Sequence, residues 1–301
     1  MTSVTANEIV ANEIVANETA NETANETANE IAANETSAAD PLSATTSVVL
    51  CLPFAGAGAA FFRKWAPLAP AGLTLVPVQL AGREERFVDP PPASVEQAVA
   101  DALPWVLGQV AELGAAVGQI ALFGHSLGAE LAFELSRSLG REGVPVARLL
   151  VSGSPGPRDR NVERVSHLAD EAFVEGLIRV AGYHHPAMDH PELLQLMLPL
   201  LRADNAMHEE YGSSHTELLT VPITSFRGRE DHLVSAAQAG EWAAETTGPF
   251  RAVEVAGGHM YLTEQEHAEE LLRLISAELE LEPEQEPEHE SEQEPAPEGS
   301  E

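Results

Sequence analysis

Basic residues are scarce in this chain. Sixteen Lys and Arg stand against 48 Asp and Glu, and the first base is Arg63. A formal net charge of −32 removes the attraction by which proteins bind nucleic acid or anionic membrane nonspecifically, so neither partner is expected. Cysteine occurs once, as Cys51 in the apolar run VVLCLPF. No disulfide can close within the chain, and a packed core thiol is the expected role. Long hydrophobic runs are also missing. The longest, residues 48–62, is too short to span a bilayer and contains Pro53, Gly56 and Gly58. No basic segment precedes an apolar one near the start, so no secretory signal is read and the expected location is cytoplasmic.

What is present divides into three parts. Residues 1–42 are dominated by the repeat ANEIVANEIVANETANETANETANEIAANETS, with a unit of five residues and then four. It has no aromatic residue and no base, cannot bury a core, and is expected to be disordered. Residues 278–301 alternate Glu with Pro and Gln and read as a disordered acidic tail. Nineteen of the 48 acids lie in residues 1–40 and 278–301, which leaves 29 against the 16 bases in between. Residues 43–277 are a normal size for one α/β domain.

Within that core, short apolar runs alternate with helical patterns. Strands are predicted at 47–54, 73–80, 120–124, 147–154, 222–228 and 250–258. Helices are predicted at 59–69, 94–113, 127–140, 234–247 and 263–277. The alternation predicts a mostly parallel sheet with helices on both faces. Residues 155–219 break the rhythm with helix-like patterns and no strand. They read as a helical insertion over the carboxyl edge of the sheet, placed as a lid.

The segment IALFGHSLGAELAFELSRSL carries the chemistry. An apolar strand ends on Gly124-His125-Ser126-Leu127-Gly128 and an amphipathic helix follows at once. Glycines two residues either side of Ser126 remove side chains that would collide in a tight strand-to-helix turn, which reads as a nucleophile elbow. A serine hydroxyl needs a base to take its proton and an acid to orient that base. In this architecture the chain order is serine, acid, histidine. Asp231 follows the strand PITSFRG, and His259 follows the last strand after Gly257-Gly258. Asp159, after an earlier strand, and Glu230, in the same turn as Asp231, are alternatives for the acid.

A tetrahedral intermediate also needs donors for its oxyanion. The backbone N–H of Leu127 is one candidate. The second is that of Ala55, in the small-residue loop LPFAGAGAAFF. The loop lacks the Lys-Ser/Thr ending of a phosphate loop. Phe54, His125 and Met260 are candidate pocket residues, and Tyr261 either lines the pocket or packs. His184, His185, His190, His208 and His215 fall in the insertion without a helical His-x-x-x-His pair, so no metal site is expected and no cofactor is called for.

The stretches LPFAGAGAAFFRKW, VPVQLAGREERF, ALFGHSLGAELAFELSR, LLVSGSPGP, LPLLRADNAMHEEY and AGGHMYL together resemble the type II thioesterases that accompany nonribosomal peptide and polyketide synthases. The resemblance runs from about Val48 to Leu262. It implies an α/β-hydrolase fold with a helical lid, and hydrolysis of acyl thioesters from the phosphopantetheine arm of acyl or peptidyl carrier proteins. It assigns Ser126 as nucleophile, His259 as base and Asp231 as its orienter, in an enzyme expected to be a monomer. The stretch AGYHHPAMDH departs from the plainer lid sequence of the family. A chain-releasing acyl-CoA thioesterase or carboxylesterase, and a non-catalytic binding module, are the alternatives. Carrier proteins are typically acidic, so docking on this acidic chain calls for a local basic patch. Arg63, Lys64, Arg83 and Arg86 are the candidates.

Overall fold

The computed structural model describes residues 46–114, 117–159, 163–181 and 189–280. The repeat of residues 1–42, the tail beyond Glu280, and His184 and His185 lie outside them. Six strands form one sheet: β1 (Thr46–Leu52), β2 (Leu73–Pro77), β3 (Val117–His125), β4 (Arg148–Ser152), β5 (Ile223–Gly228) and β6 (Phe250–Val255). Their order is β2-β1-β3-β4-β5-β6, and every pairing is parallel. Parallel neighbours need crossovers, and helices supply most of them: α1 (Ala59–Arg63), α2 (Val95–Leu113), α3 (Leu127–Arg141), α4 (Asp170–Ala181), α5 (Pro191–Glu210), α6 (Ala236–Gly240) and α7 (Gln265–Glu280).

The alternation of side chains along β1 builds two cores. Val48, Leu50 and Leu52 face α2 and α3, where Val99, Val106, Leu131 and Phe133 are buried. Val49 and Cys51 face the other way, onto Phe62, Trp65 and the inner side of α7 at Leu271, Leu272 and Ile275. A strand buried on both faces reads as a continuous apolar run, which is why SVVLCL carries no period of two.

The predicted elements are all present, with shifts at their ends. The helix expected at 59–69 is α1 followed by a 3₁₀ turn at Ala66–Leu68, because Pro67 cannot continue the α-helix. That expected at 234–247 is α6 and a 3₁₀ turn, Glu241–Glu245. The acidic tail begins later than expected. Glu278, Leu279 and Glu280 complete α7, and Glu278 is buried, accepting from Thr224 Oγ1 at 2.8 Å and pairing with Arg251 at 2.7 Å.

The sequence pattern predicts one buried face on the helix after Ser126. Instead α3 is buried almost all round, including Glu130 and Glu134. The insertion covers the face whose charges suggest solvent. His208 on α5 pairs with Glu130 at 2.9 Å, and Tyr211 and His215 reach Glu134 at 2.8 and 3.0 Å. Among the described residues of 155–219 the regular elements are α4 and α5, with no strand, and Val165, Phe173, Leu177, Leu198 and Leu201 form a small core of their own.

Candidate active site

Register brings four loop-bearing strand ends to one edge. Leu52 of β1 pairs with Gly124, His125 with Ser152, and Gly228 with Val255. The loops after β1, β3, β5 and β6 therefore leave the sheet together.

Ser126 stands between β3 and α3 with φ 53° and ψ −122°. It is one of two non-glycine residues with positive φ among those described, a conformation that costs about 1–3 kcal/mol and persists only where its surroundings hold it. They do: Ser126 N donates to Ser152 O at 2.8 Å, and Ser126 O accepts from Ala129 N at 2.9 Å. The flanking glycines have a steric reason. A Cβ on Gly124 would lie 1.8 Å from Gly128 O, and one on Gly128 would lie 2.4 Å from Leu52 O. Leu127 opens α3 fully buried, with its backbone beside the serine.

Asp231 and His259 meet. Nδ1 of His259 lies 2.9 Å from Asp231 Oδ2, and Asp231 Oδ1 accepts from the N–H groups of Leu233 at 2.8 Å and Val234 at 3.1 Å. Burial opposes ionisation of this carboxyl. The hydrogen bond from His259, the ring's charge and the two backbone donors outweigh it, and its pKa falls below the ordinary carboxylate value. The two loops are stitched together beside the pair. Glu230 N donates to Gly257 O at 3.0 Å, and Gly257 N donates to Glu230 Oε2 at 2.7 Å. Gly228 allows the approach, since a Cβ there would meet Gly258 O at 2.3 Å.

Both alternative acids are engaged elsewhere. Glu230 holds the histidine loop, and Asp159 Oδ2 accepts from Gln238 Nε2 on α6 at 2.8 Å. Phe54 packs edge-on to Phe61 and to His125, with centroids 4.9 and 6.0 Å apart. Met260 caps the 3₁₀ turn Tyr261–Thr263 and is half-buried. Ala55 lies in the loop between β1 and α1, packed against the core.

Three further features shape the site. His125 is fully buried with its ring 4.9 Å from that of His259. Its Nδ1 bonds Ser152 Oγ at 2.9 Å, which in turn bonds Tyr261 OH at 2.7 Å. Burial, and then the neighbouring His259, push the His125 pKa well below the usual imidazole value. The other two features are Arg83 and Asp204. The sequence presents Arg83 as a docking base, but it is buried and bidentate to Asp204 on α5. Asp204 Oδ2 also accepts from Gly56 N at 2.8 Å, and Arg83 Nη1 donates to Ala57 O at 2.8 Å. Arg63 and Arg86 are likewise occupied, by Glu84 and Glu85 and by Asp89 and Asp101. The expected four-base patch therefore reduces to Lys64.

Among the described residues no three His, Cys, Asp or Glu side chains converge as a metal would require, and no described helix is long and apolar enough to cross a membrane.

A parallel sheet with a strained serine turn and an acid–histidine pair at its carboxyl edge is the architecture of an α/β-hydrolase enzyme. The chain belongs to the thioesterase family: the thioesterase domain model matches residues 48–279. The thioesterase PikA5 of Streptomyces venezuelae is 35% identical over 224 residues, covering 73% of this chain and 76% of that one. The structure of the type II thioesterase BorB from the borrelidin biosynthetic cluster superposes with a TM-score of 0.69 at 33% identity, covering 81% of this chain and 95% of that one. The RedJ thioesterase of the prodiginine pathway in Streptomyces coelicolor gives 0.69 at 29% identity, over 81% and 90% of the two chains. This protein is accordingly a thioester hydrolase.

Proposed function

We propose that the enzyme removes acyl groups from the phosphopantetheine arm of carrier proteins serving a nonribosomal peptide or polyketide synthase, through Ser126, His259 and Asp231. The observation that carries this reading is the Asp231–His259 hydrogen bond at the strand edge that also presents Ser126, in a chain similar to ClbQ of the colibactin NRPS/PKS pathway and to the type II thioesterase YbtT of the yersiniabactin NRPS/PKS pathway.

In this mechanism Asp231 holds Nδ1 of His259, leaving Nε2 to take the proton of Ser126 Oγ as the oxygen attacks the thioester carbon. The oxyanion is met by the N–H groups of Leu127 and Ala55, each donor contributing about 10²–10³ in rate. Collapse breaks the carbon–sulfur bond, and the pantetheine thiol leaves with the proton from His259. Water then gives a proton to His259 and attacks the acyl-serine. The carboxylic acid departs and Ser126 recovers its proton. The described helices of the 155–219 insertion, α4 and α5, act as the lid over this edge. The enzyme works as a monomer in the cytoplasm, with its substrate delivered by the carrier and no cofactor of its own.

The test is hydrolysis of short acyl groups on a phosphopantetheinylated carrier, against the same groups on coenzyme A, with Ser126→Ala beside wild type. Faster release from the carrier that vanishes in Ser126→Ala is the expected result. Equal or faster turnover of the coenzyme A thioesters overturns the carrier assignment and points to a metabolic thioesterase.

A further inference from the structure

A cavity of about 500 Å³ opens between the loop after β1, the helix α1 and the start of α7. One wall is Phe54, Gly56 and Gly58, the loop that carries Ala55. The opposite wall is Leu262, Thr263 and Gln265, directly after the His259 turn. Phe61 and Trp65 line it from α1 and its end, and Lys64 stands at its rim. The ring of Phe54 connects this cavity to the site, edge-on to His125, which lies against His259.

Lys64 is the one lysine in the chain. It is exposed and, among the described residues, takes part in no ion pair, whereas Arg63, Arg83 and Arg86 around it are all bound to carboxylates. A cation left free beside a cavity, in a protein this acidic, is the group there to which an anion would be drawn. The cavity also combines aromatic walls with the hydroxyl of Thr263 and the amide of Gln265. An unbranched acyl chain has no use for these polar groups. A pantetheine arm does: its two amides need hydrogen-bond partners, its geminal methyl groups suit an aromatic wall, and it ends in a phosphodiester.

We propose that this cavity seats the pantetheine arm of the substrate, with Lys64 contacting its phosphate. The inference rests on the carrier-linked substrate proposed above. The phosphate is common to the carrier-bound arm and to coenzyme A, while pantetheine itself lacks it.

The experiment uses the full chain with acetyl-phosphopantetheine and acetyl-pantetheine as paired substrates. Wild type is expected to favour the phosphorylated thioester by about threefold to fivefold in kcat/KM, through KM, with the preference shrinking in salt. Lys64→Ala is expected to erase that preference, and Lys64→Arg to keep it. A second readout needs no turnover. Lys64 is labelled with an amine-reactive acetyl ester and followed by peptide mapping. Phosphopantetheine is expected to slow the labelling, and pantetheine is not. A preference retained in Lys64→Ala, or labelling slowed by both compounds or by neither, overturns the site. A Lys64→Ala defect seen with acyl-carrier alone also overturns it and gives the lysine to the carrier's protein surface. Protection by phosphopantetheine without hydrolysis of any thioester leaves the site standing and removes the proposed turnover instead.

Discussion

Arg83 and Asp204, 121 residues apart, form a bidentate pair at 2.8 and 2.9 Å that also holds the backbone of Gly56 and Ala57. The pair ties α5 of the insertion to the loop that carries Ala55. Removing one partner leaves the other charge buried, at 3% and 0% exposure. Asp204→Ala is therefore expected to cost about 3–5 kcal/mol in chemical denaturation, and Arg83→Met combined with Asp204→Leu less than Asp204→Ala alone. Asp204→Asn, which keeps an acceptor for Gly56 N, is expected to retain more kcat than Asp204→Ala. A double variant as unstable as the sum of its singles would show the pair to be uncoupled.

Ser126 sits at a φ of 53° that a glycine adopts without strain. Ser126→Gly is expected to be inactive and more stable than wild type by about 1 kcal/mol or more. Denaturant midpoints compare the two. A less stable Ser126→Gly would mean the turn is not strained.

Gly124 has the opposite character. A methyl group placed there would come within 1.8 Å of Gly128 O, and only backbone could move to relieve the clash. Gly124→Ala is expected to lose more than about 4 kcal/mol or to fail to fold. Soluble yield and circular dichroism decide it, and a stable, active Gly124→Ala would contradict the packing of the elbow.

The assignment of the acid separates two aspartates. Asp231→Asn is expected to lower kcat by about 10⁴-fold, since an amide no longer fixes the histidine tautomer or supports its charge. Asp159→Asn, whose carboxylate meets Gln238, is expected to leave kcat near wild type. Steady-state kinetics on one thioester suffices, and the reverse order would move the acid to the end of β4.

His125 gives the fold an acid-sensitive term. Its folded pKa lies below the ordinary value of 6.5 because burial and His259 disfavour the cation. The unfolded chain therefore binds a proton that the folded chain refuses. The stabilisation is complete above pH 6.5 and is lost as pH falls from there toward the depressed folded value. The slope approaches about 1.4 kcal/mol per pH unit. His125→Asn is expected to flatten the pH dependence of Tm in that window. Identical profiles for both proteins would assign the sensitivity to other groups, among them Asp231.

The fold is readable because its signals are local. A strand, a glycine-flanked serine and a helix follow one another without interruption from Val117 to Arg141, and the serine–acid–histidine order follows strand ends marked by apolar runs. What escapes reading depends on partners far along the chain. Arg83 looks like any surface base until Asp204 folds over it. Glu130 and Glu134 look solvated until the insertion brings His208, Tyr211 and His215 against them. Glu278 belongs by composition to the acidic tail, yet Thr224 and Arg251 draw it into α7. The Ser152–Tyr261 bond behind His125 spans 109 residues and has no motif.

Cys51 lies 1% exposed in the middle of β1, and burial pushes its thiol pKa up, away from the thiolate. An accessible thiolate would exchange with the thioesters this enzyme receives and strand acyl groups on sulfur. The chain has no other cysteine. No thiol of the protein is thus placed to compete with Ser126 for an acyl group at this edge, and the only thiolate expected there is the one the substrate releases.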